Sequence, residues 1–146
     1  MIKIICLGKL KEPYLIDAIS DYYKRLRKYH KICICQLKDN DNILVEENEI
    51  LSELQKDKSY KVLLDMNGNE LSSINFSQFI NDKLTYYSNI TFIIGSSNGV
   101  SEKIKSLVND KISFGKITLP HGLFRVILLE QIYRSFKILN NESYHK

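Results

Sequence analysis

The sequence predicts an α/β fold in which a mostly parallel sheet carries helices on both faces. Short runs rich in Ile, Val, Leu and Phe alternate with longer runs of helical periodicity, which is typical of such sheets. The runs at residues 62–64 and 92–94 are continuously apolar, as expected of central strands covered on both faces. With 146 residues and 44% hydrophobic content, the chain fits one domain spanning residues 1–146.

Five strands are predicted, and each is followed by a helix. The strands are expected at residues 2–7, 32–37, 60–65, 90–95 and 111–114. Helices are expected at residues 14–29, about 45–56, 74–87 and 102–109. Pro13 marks the start of the first helix, and the hydroxyls of Ser72, Ser73 and Ser101 are suited to cap later ones. A last helix, over residues 123–139, contains no Pro or Gly, and Pro120 fits its first turn.

The charge permits an anionic partner without requiring one. The net charge is +4, and cations gather at the end of the first predicted helix, at Lys24, Arg25, Arg27, Lys28, His30 and Lys31. These side chains could contact phosphate, or they could simply stabilise the carboxyl end of the helix dipole. Both interpretations stay open, and His30 is expected to be exposed to solvent.

Cysteine content and hydropathy narrow the class of protein further. Cys6, Cys33 and Cys35 lie in strand-like runs and are expected to be reduced, buried thiols. No metal site is predicted, because Cys33 and Cys35 have no histidine or second cysteine pair nearby to complete a zinc site. No segment is apolar enough to span a membrane and no signal-peptide cleavage site is apparent, so a cytoplasmic location is expected.

Ligands of parallel sheets bind beyond the carboxyl ends of the strands, where this chain has several turns. The turn Gly95-Ser-Ser-Asn-Gly99 would let backbone N–H groups approach a ligand, although it is not a dinucleotide-binding fingerprint. Gly115-Lys116 lacks the hydroxyl residue and the upstream glycine of a phosphate loop. Asp65 closes the third strand, as in phosphoacceptor signalling domains, but the basic turn at residues 8–11 could not hold the divalent cation. Further turns are expected at Gly8 and at residues 65–69 and 114–119.

The carboxyl-terminal helix carries one arginine on its apolar side. At about 100° per residue, Arg125 falls among apolar side chains, where an unpaired guanidinium is costly. Arg125 must therefore either reach solvent at the start of the helix or pair with a carboxylate, a carbonyl or a ligand. Glu130 and Arg134, spaced i,i+4, are expected to form only a surface pair that stabilises the helix.

Two histidines bracket this helix, and each is a candidate functional residue. His121 precedes the apolar run, whereas His145 follows the Asn140-Asn141 pair that should end it. Tyr144 and His145 therefore lie on a short tail that solvent would disorder unless the tail docks. An aromatic ring, an imidazole and a lysine together suit a nucleobase and its phosphate.

Several short motifs are spread over nearly the whole chain. They include a strand end with Gly95, a Pro-His pair, an Arg-Val pair, a Glu-x-x-Tyr-Arg segment and a terminal Tyr-His-Lys, at residues 92–99, 119–121, 125–126, 130–134 and 144–146. Residues 7–11 and 64–68 belong to the same pattern. Together these motifs resemble the SPOUT-class ribosomal RNA large-subunit methyltransferase H family.

The resemblance implies methylation, from S-adenosylmethionine, of the ring nitrogen N3 of a pseudouridine in large-subunit (23S) ribosomal RNA. It also implies a carboxyl-terminal trefoil knot, a homodimer and the ribosome as partner, with no metal. The cofactor would contact Leu64, Gly95, Phe114, Gly115, Lys116, Ile117, Thr118 and Leu119. Arg125 would stabilise charge on the base carbonyls, His121 or His145 would accept the proton, and Tyr144 would position the base. The tail of one protomer would help complete the site of the other.

The chain departs from the family pattern at Asn48, Ser96 and Gly122, none of which is a candidate catalytic residue, and its connector at residues 38–44 is shorter than usual. One alternative function stays open, a ribosome-associated RNA-binding module of the same fold without turnover. A phosphoacceptor domain using Asp65 is a weaker alternative. The residues also leave open which histidine accepts the proton, and whether free RNA, a subunit or the assembled ribosome is the substrate.

Overall fold

Strands and helices alternate along the chain in the computed structural model, which describes residues 1–96 and 98–146. Within these residues the five strands are β1 (Ile2–Leu7), β2 (Ile32–Leu37), β3 (Tyr60–Glu70), β4 (Ile90–Ile94) and β5 (Asp110–Ser113). The five helices of the same residues are α1 (Pro13–Leu26), α2 (Ile43–Lys56), α3 (Ser73–Tyr87), α4 (Glu102–Leu107) and α5 (His121–Leu139). The predicted α/β alternation is confirmed.

The strands form one sheet in the order β2-β1-β4-β3-β5, and every neighbouring pair is parallel. β1 and β4 lie side by side at the centre, with Ile4 opposite Phe92. All five residues of β4 are buried, which explains why residues 92–94 are continuously apolar rather than alternating. The predicted parallel sheet is thereby confirmed.

Helices cover both faces of the sheet. On one face, α1, α3 and α5 bury side chains such as Leu26, Phe76 and Leu128 against the strands. On the other face, α2 and α4 contribute Ile50 and Ile104 to a second core. Each large apolar side chain that is fully buried stabilises the fold by roughly 1.5–3 kcal/mol. In the described part of the chain, no helix combines the length and the apolar character that crossing a membrane would require.

Capping side chains determine where most helices begin. Asn42 accepts a hydrogen bond from the first turn of α2, which therefore starts two residues earlier than predicted. Ser72 and Ser101 cap α3 and α4 in the same way. Pro13 occupies the first turn of α1, as predicted. Pro120 was expected in the first turn of α5, but it lies directly before that helix.

The predicted turn at residues 65–69 is wrong, because β3 continues through it to Glu70. Both Leu64 and Asn69 pair with Ile112 of β5, so the intervening residues form an irregular bulge within the strand. At Gly68, an added Cβ would lie 2.6 Å from the backbone nitrogen of Ile112. The glycine therefore lets β3 rejoin β5 after the bulge.

Other predictions also need correction. α1 ends at Leu26 and α4 at Leu107, both earlier than expected. His30 is half-buried, with its ring stacked on Phe136 at a centroid distance of 5.8 Å, and burial lowers its pKa. Cys6 is a buried free thiol as predicted, but the thiols at positions 33 and 35 are free and only half-buried.

The segment between β5 and α5 crosses the carboxyl edge of the sheet. β5 lies at one edge, and β1 is three strands away, a distance of about 14 Å at the usual strand spacing. Residues 114–120 connect β5 to α5, whose Arg125 contacts the carboxyl end of β1. Seven residues can span roughly 23 Å when extended, so the connector is long enough for this crossing.

Candidate functional site

The carboxyl ends of β1 and β4 form the switch point of the sheet. From β1 the chain passes through α1 to β2 on one side, and from β4 it passes through α4 to β5 on the other. The two connections diverge and leave a crevice beyond the two adjacent strands, which is where parallel sheets bind their ligands. Gly8 follows β1 at this point, and Gly95 follows β4.

Arg125 lies in this crevice and is almost completely buried, with 4% of its surface exposed. Its Nη2 donates hydrogen bonds to the carbonyl oxygens of Leu7 and of Gly8, the latter at 3.0 Å. Its Nε and Nη1 are buried and have no partner within the described residues. Unpaired donors of a buried guanidinium are costly, so the site is suited to an incoming acceptor such as a carbonyl oxygen.

His121 is the first residue of α5 and lies one helical turn before Arg125, on the same side of the helix. Burial lowers the pKa of His121, the Arg125 charge lowers it further, and Glu46 opposes both effects. A histidine with a lowered pKa is neutral near pH 7, and a neutral imidazole can accept a proton. A cation and a candidate base therefore lie side by side.

The connector between β2 and α2, which comprises residues 38–42 because α2 starts earlier than predicted, borders the same crevice. The carboxylate of Asp39 approaches Gly8, where an added Cβ would lie 3.3 Å from Asp39 Oδ2. Glu46 is 8% exposed, and its Oε1 accepts a hydrogen bond from the backbone nitrogen of Asn40 at 2.9 Å. Glu46 thus fixes this connector while lying close enough to influence His121.

The predicted cofactor-binding residues lie along the same edge of the sheet. Leu64 belongs to β3 and pairs with Ile94 of β4 on one side and Ile112 of β5 on the other. Gly95 directly follows β4, and the segment of residues 114–119 directly follows β5. The structure therefore brings these residues to three neighbouring strands, with Leu64 level with the end of β4 although β3 itself continues to Glu70. Ser97, within the predicted turn at residues 95–99, lies outside the described residues.

The segment of residues 114–119 offers free backbone groups, and Lys116 is its one charged side chain. Backbone N–H groups of residues 116–119 donate to no backbone carbonyl of the described chain. Gly115 has a φ of 111° and open space where a Cβ would project, and its backbone groups bond to the Ser113 hydroxyl. Free backbone donors and acceptors of this kind suit the edge of a purine ring.

The carboxyl-terminal tail docks on α5. The Tyr144 hydroxyl donates a hydrogen bond to Glu130 Oε1 at 3.0 Å, and the Arg134 guanidinium lies 4.7 Å from the centre of the Tyr144 ring. Arg134 Nη1 lies 3.2 Å from Nδ1 of His145. The prediction that Glu130 and Arg134 form only a surface pair is therefore wrong, because their side chains are just 18% and 25% exposed and hold the tail.

Within one chain, the carboxyl-terminal tail lies apart from the buried Arg125. The rise of an α-helix is about 1.5 Å per residue, so the nine residues from Arg125 to Arg134 separate the two positions by roughly 13 Å along α5. The structure therefore brings His121 together with Arg125, and Tyr144 together with His145, as two separate groups. Neither group alone combines all four candidate catalytic residues.

Several contributing residues were not identified from the sequence. Glu46 and Asp39 approach the crevice from the connector, and the carbonyl oxygens of Leu7 and Gly8 hold the buried arginine. The sequence offered a signal only for Glu46, an acidic residue directly after three apolar residues at the start of a helix. Backbone carbonyls leave no such signal.

Two surface depressions lie away from this crevice. One, of about 420 Å³, lies between α2 and α4 and is lined by residues including Leu51, Gln55 and Lys103. The other, of about 210 Å³, lies beside the bulge of β3. Neither holds unpaired buried donors, whereas the crevice at β1 and β4 does, so the chemistry favours the crevice.

Proteins similar to this chain identify its family. A family model described as "Predicted SPOUT methyltransferase" matches residues 1–145. Ribosomal RNA large subunit methyltransferase H of Clostridium tetani is 48% identical to this chain, and the alignment covers 99% of each protein. The chain belongs to the ribosomal RNA large subunit methyltransferase H family of SPOUT methyltransferases. The resemblance inferred from the motifs is thereby confirmed.

Further relatives support the family and the fold. The methyltransferase H of Fusobacterium nucleatum is 46% identical over 99% of both chains. Among solved structures, the tRNA (m1G37) methyltransferase from Aquifex aeolicus superposes with a TM-score of 0.53 at 16% identity. That superposition covers 92% of this chain and 68% of the other. At such low identity the similarity concerns the fold alone, and it agrees with the parallel α/β sheet of this family.

Proposed function

We propose that this protein transfers a methyl group from S-adenosylmethionine to N3 of a pseudouridine in the 23S RNA of the large ribosomal subunit. The proposed setting is the cytoplasm, with the ribosome as partner. Membership in the methyltransferase H family supports the reaction class. The observation that carries the proposal is the buried Arg125, whose two unpaired donors lie at the switch point of the sheet.

The predicted cofactor-binding residues at this edge of the sheet are suited to bind S-adenosylmethionine. The free backbone groups of residues 116–119 suit the adenine edge, and the open space at Gly115 leaves room for close approach. Leu64, Gly95 and the segment Phe114 to Leu119 are the proposed contacts. When bound, S-adenosylmethionine supplies a methyl carbon made electrophilic by its positively charged sulfur, so no metal is required.

The substrate must lose the proton on N3 before or while the new N–C bond forms. As that proton leaves, negative charge spreads onto the two carbonyl oxygens that flank N3. The donors of Arg125 are suited to stabilise this charge, and removing a comparable donor costs about 10²–10³ in rate elsewhere. Arg125 needs no movement of its own, because the carbonyls of Leu7 and Gly8 already hold it.

His121 is the preferred proton acceptor in this proposal. Its lowered pKa favours the neutral ring, and it lies one turn from Arg125. The proton would pass from N3 to an imidazole nitrogen, while the electrons of the former N–H bond form the new bond to the methyl carbon. The electrons of the broken carbon–sulfur bond remain on sulfur. Tyr144 and His145 would position the base from the substrate side.

A homodimer would bring the two groups of candidate residues together. The roughly 13 Å separation along α5 favours a tail that acts on the site of the partner protomer. Apolar residues on α1 and α5 near the crevice, including Tyr14 at 70% exposure, are suited to such an interface. We also propose that the crossing of residues 114–120 forms a trefoil knot, for which the path from β5 to β1 is the support.

The direct test is methyl incorporation into ribosomes from a strain that lacks this protein. Radiolabelled S-adenosylmethionine and nucleoside mass spectrometry should reveal one N3-methylated pseudouridine in 23S RNA, and separate assays with free RNA, subunits and ribosomes identify the substrate. Ribosomes from a strain that contains the protein are the control and should accept no label. Label in another nucleoside would contradict the proposed specificity.

The alternative is an RNA-binding module of the same fold without turnover. Titration calorimetry with S-adenosylmethionine separates the two functions, because only the enzyme requires the ligand. Heat of binding together with methyl transfer supports the enzyme. Ribosome binding without any heat at millimolar S-adenosylmethionine would support the module instead.

A further inference from the structure

The ion pair of Glu130 and Arg134 differs from an ordinary helix-surface pair. Arg134 donates to Glu130 from both Nε and Nη2, at 3.1 and 2.8 Å to Oε1. A second pair on α1, Arg25 with Asp21, has the same spacing and a distance of 2.9 Å, yet its side chains are 47% and 55% exposed. The pair on α5 is only 25% and 18% exposed. Tyr144 of the tail contacts both members of this pair.

Glu130 accepts hydrogen bonds from several directions at once. Besides the bonds from Arg134, Gln131 Nε2 donates to Oε2 at 2.8 Å and the Tyr144 hydroxyl donates to Oε1 at 3.0 Å. Tyr144 also meets the ring of Tyr133 edge-on at a centroid distance of 5.1 Å. Such charge-assisted bonds fix both the distance and the direction of the phenol.

Tyr144 acts as a donor in this arrangement. Burial raises the pKa of the Tyr144 hydroxyl to about 12, and the neighbouring carboxylate of Glu130 raises it as well. A phenol with so high a pKa keeps its proton at neutral pH. It therefore cannot remove the proton from a substrate, and its ring and hydroxyl are left to hold the tail.

The contact between Arg134 and His145 determines where His145 carries its hydrogen. A guanidinium has five N–H donors and no acceptor, so it can only donate to Nδ1 of the imidazole across the 3.2 Å between them. Nδ1 must then carry the lone pair. In the neutral ring the hydrogen is consequently on Nε2, the nitrogen that faces away from Arg134.

We propose that Glu130 and Arg134 are positioning residues that fix Tyr144 and present His145 to the substrate as a hydrogen-bond donor through Nε2. This inference deepens the proposed function and rests on it, because it concerns the substrate side of the same site. With Nε2 already protonated, His145 donates to an oxygen of the base or of its phosphate. The role of proton acceptor then falls to His121.

The tautomer can be measured without any enzyme assay. Nitrogen-15 NMR of the labelled full-length protein distinguishes imidazoles protonated on Nε2 from those protonated on Nδ1, and His145→Gln identifies the signal. We expect the Nε2 form in the wild-type protein. In Arg134→Leu, which keeps an aliphatic stem under the Tyr144 ring but removes the donors, both tautomers should appear. A wild-type His145 protonated on Nδ1 would overturn the inference.

Steady-state kinetics test the positioning role. Glu130→Gln and Arg134→Leu should each lower kcat by about 10- to 100-fold, as expected for a small misplacement of a substrate-contacting group. The calorimetric Kd for S-adenosylmethionine and the Tm should stay near those of the wild type. Asp21→Asn is the matched control, because it breaks the equivalent exposed pair on α1, and its kcat should stay within twofold. Equal kcat values for Glu130→Gln and Asp21→Asn would contradict the role.

A double-mutant cycle separates positioning from simple loss of structure. If Glu130 acts through the hydroxyl of Tyr144, Glu130→Gln should cost much less in a Tyr144→Phe background than in the wild type. Fully additive losses would overturn the coupling. Failure of the proposed function has a different signature: wild-type protein would leave ribosomes unmethylated, while the NMR experiment would still report the Nε2 tautomer.

Discussion

Arg125 of α5 donates a hydrogen bond from Nη2 to the carbonyl oxygen of Gly8, at 3.0 Å, and thereby ties the last helix to the end of the first strand. The two residues are 117 positions apart in sequence. The bond connects a helix that follows the edge strand β5 to the central strand β1, across the carboxyl ends of two other strands. The segment that crosses the sheet therefore places the buried Arg125 at the end of β1, and the site depends on this crossing.

Replacing Arg125 should impair catalysis more than cofactor binding. Arg125→Ala removes the donors proposed to stabilise the base carbonyls, so kcat/KM for ribosomes should fall by about 10²–10³. It also leaves two carbonyl oxygens without their donor, which should lower the free energy of unfolding by about 1–3 kcal/mol. Methyl transfer assays and urea denaturation measure the two effects. Activity within a few-fold of the wild type would exclude the proposed role.

Gly68→Ala should destabilise the fold more than Gly95→Ala. At Gly68 the new Cβ would lie 2.6 Å from backbone atoms of β5, which cannot move without breaking the strand pairing. At Gly95 it would lie 2.7 Å from Cγ1 of Val100, a side chain that can rotate away. We expect a loss of roughly 3 kcal/mol or more for the first variant and about 1–2 kcal/mol for the second. Urea midpoints that are equal would contradict the assignment of Gly68 to a close strand contact.

Asp57 should make the folded state sensitive to acid. Burial tends to raise the pKa of Asp57, but hydrogen bonds from Ser59 and Thr91 and the charge of Lys3 outweigh it, so the pKa is lower than in an unfolded chain. A lowered carboxyl pKa stabilises the fold above the unfolded pKa near 3.9, and this stabilisation is lost as pH falls through the folded pKa.

For Asp57→Asn, we expect a loss of about 1–2 kcal/mol in the free energy of unfolding at pH 7. The difference from the wild type should stay constant down to about pH 5 and shrink below about pH 4. Urea denaturation from pH 3 to 7 measures this. A difference that persists unchanged at pH 3 would mean that the charge of Asp57 does not contribute.

Local sequence patterns were sufficient to predict the succession of strands and helices along the chain. They also predicted that Arg125 falls on a buried side of its helix. Continuous apolar runs predicted the central strands, and the helical spacing showed that a guanidinium fell on a buried side. The partners of Arg125 could not be predicted, because they are backbone carbonyls that any residue supplies. Their identity depends on which strand end the last helix reaches, and that is a property of the whole topology.

The predictions that were wrong failed for the same physical reason, which is that contacts with distant parts of the chain determined the structure. Residues 65–69 were predicted as a turn, yet β3 continues because Gly68 lets its backbone approach β5. Glu130 and Arg134 have the spacing of a surface pair, yet both contact a tail whose docking no local pattern reveals. His30 was expected to be exposed from its basic neighbours, whereas a stacking partner more than a hundred residues away shields it.

Deleting Tyr144 to Lys146 should lower methyl transfer while leaving S-adenosylmethionine binding intact. The tail contacts the carboxyl-terminal half of α5, and the proposed cofactor residues lie at the strand ends, so the two parts of the site are separate. We expect a loss in kcat of about 100-fold or more with an unchanged calorimetric Kd. A truncated protein that no longer binds S-adenosylmethionine would assign the tail to the cofactor half of the site.

Mixed dimers should reveal whether the tail acts on its own chain or on the partner. Arg125→Ala and the tail deletion should each inactivate the proposed homodimer, but a heterodimer of the two variants contains one complete site if the tail acts in trans. Random mixing of equal amounts should then restore about a quarter of wild-type activity, because half of the dimers are mixed and each has one active site of two. If the tail acts in cis, no site is complete and mixing restores nothing. To isolate the heterodimer, the two variants carry different tags, are unfolded and refolded together, and are purified through both tags. A mixture of the two homodimers that has not been unfolded is the control.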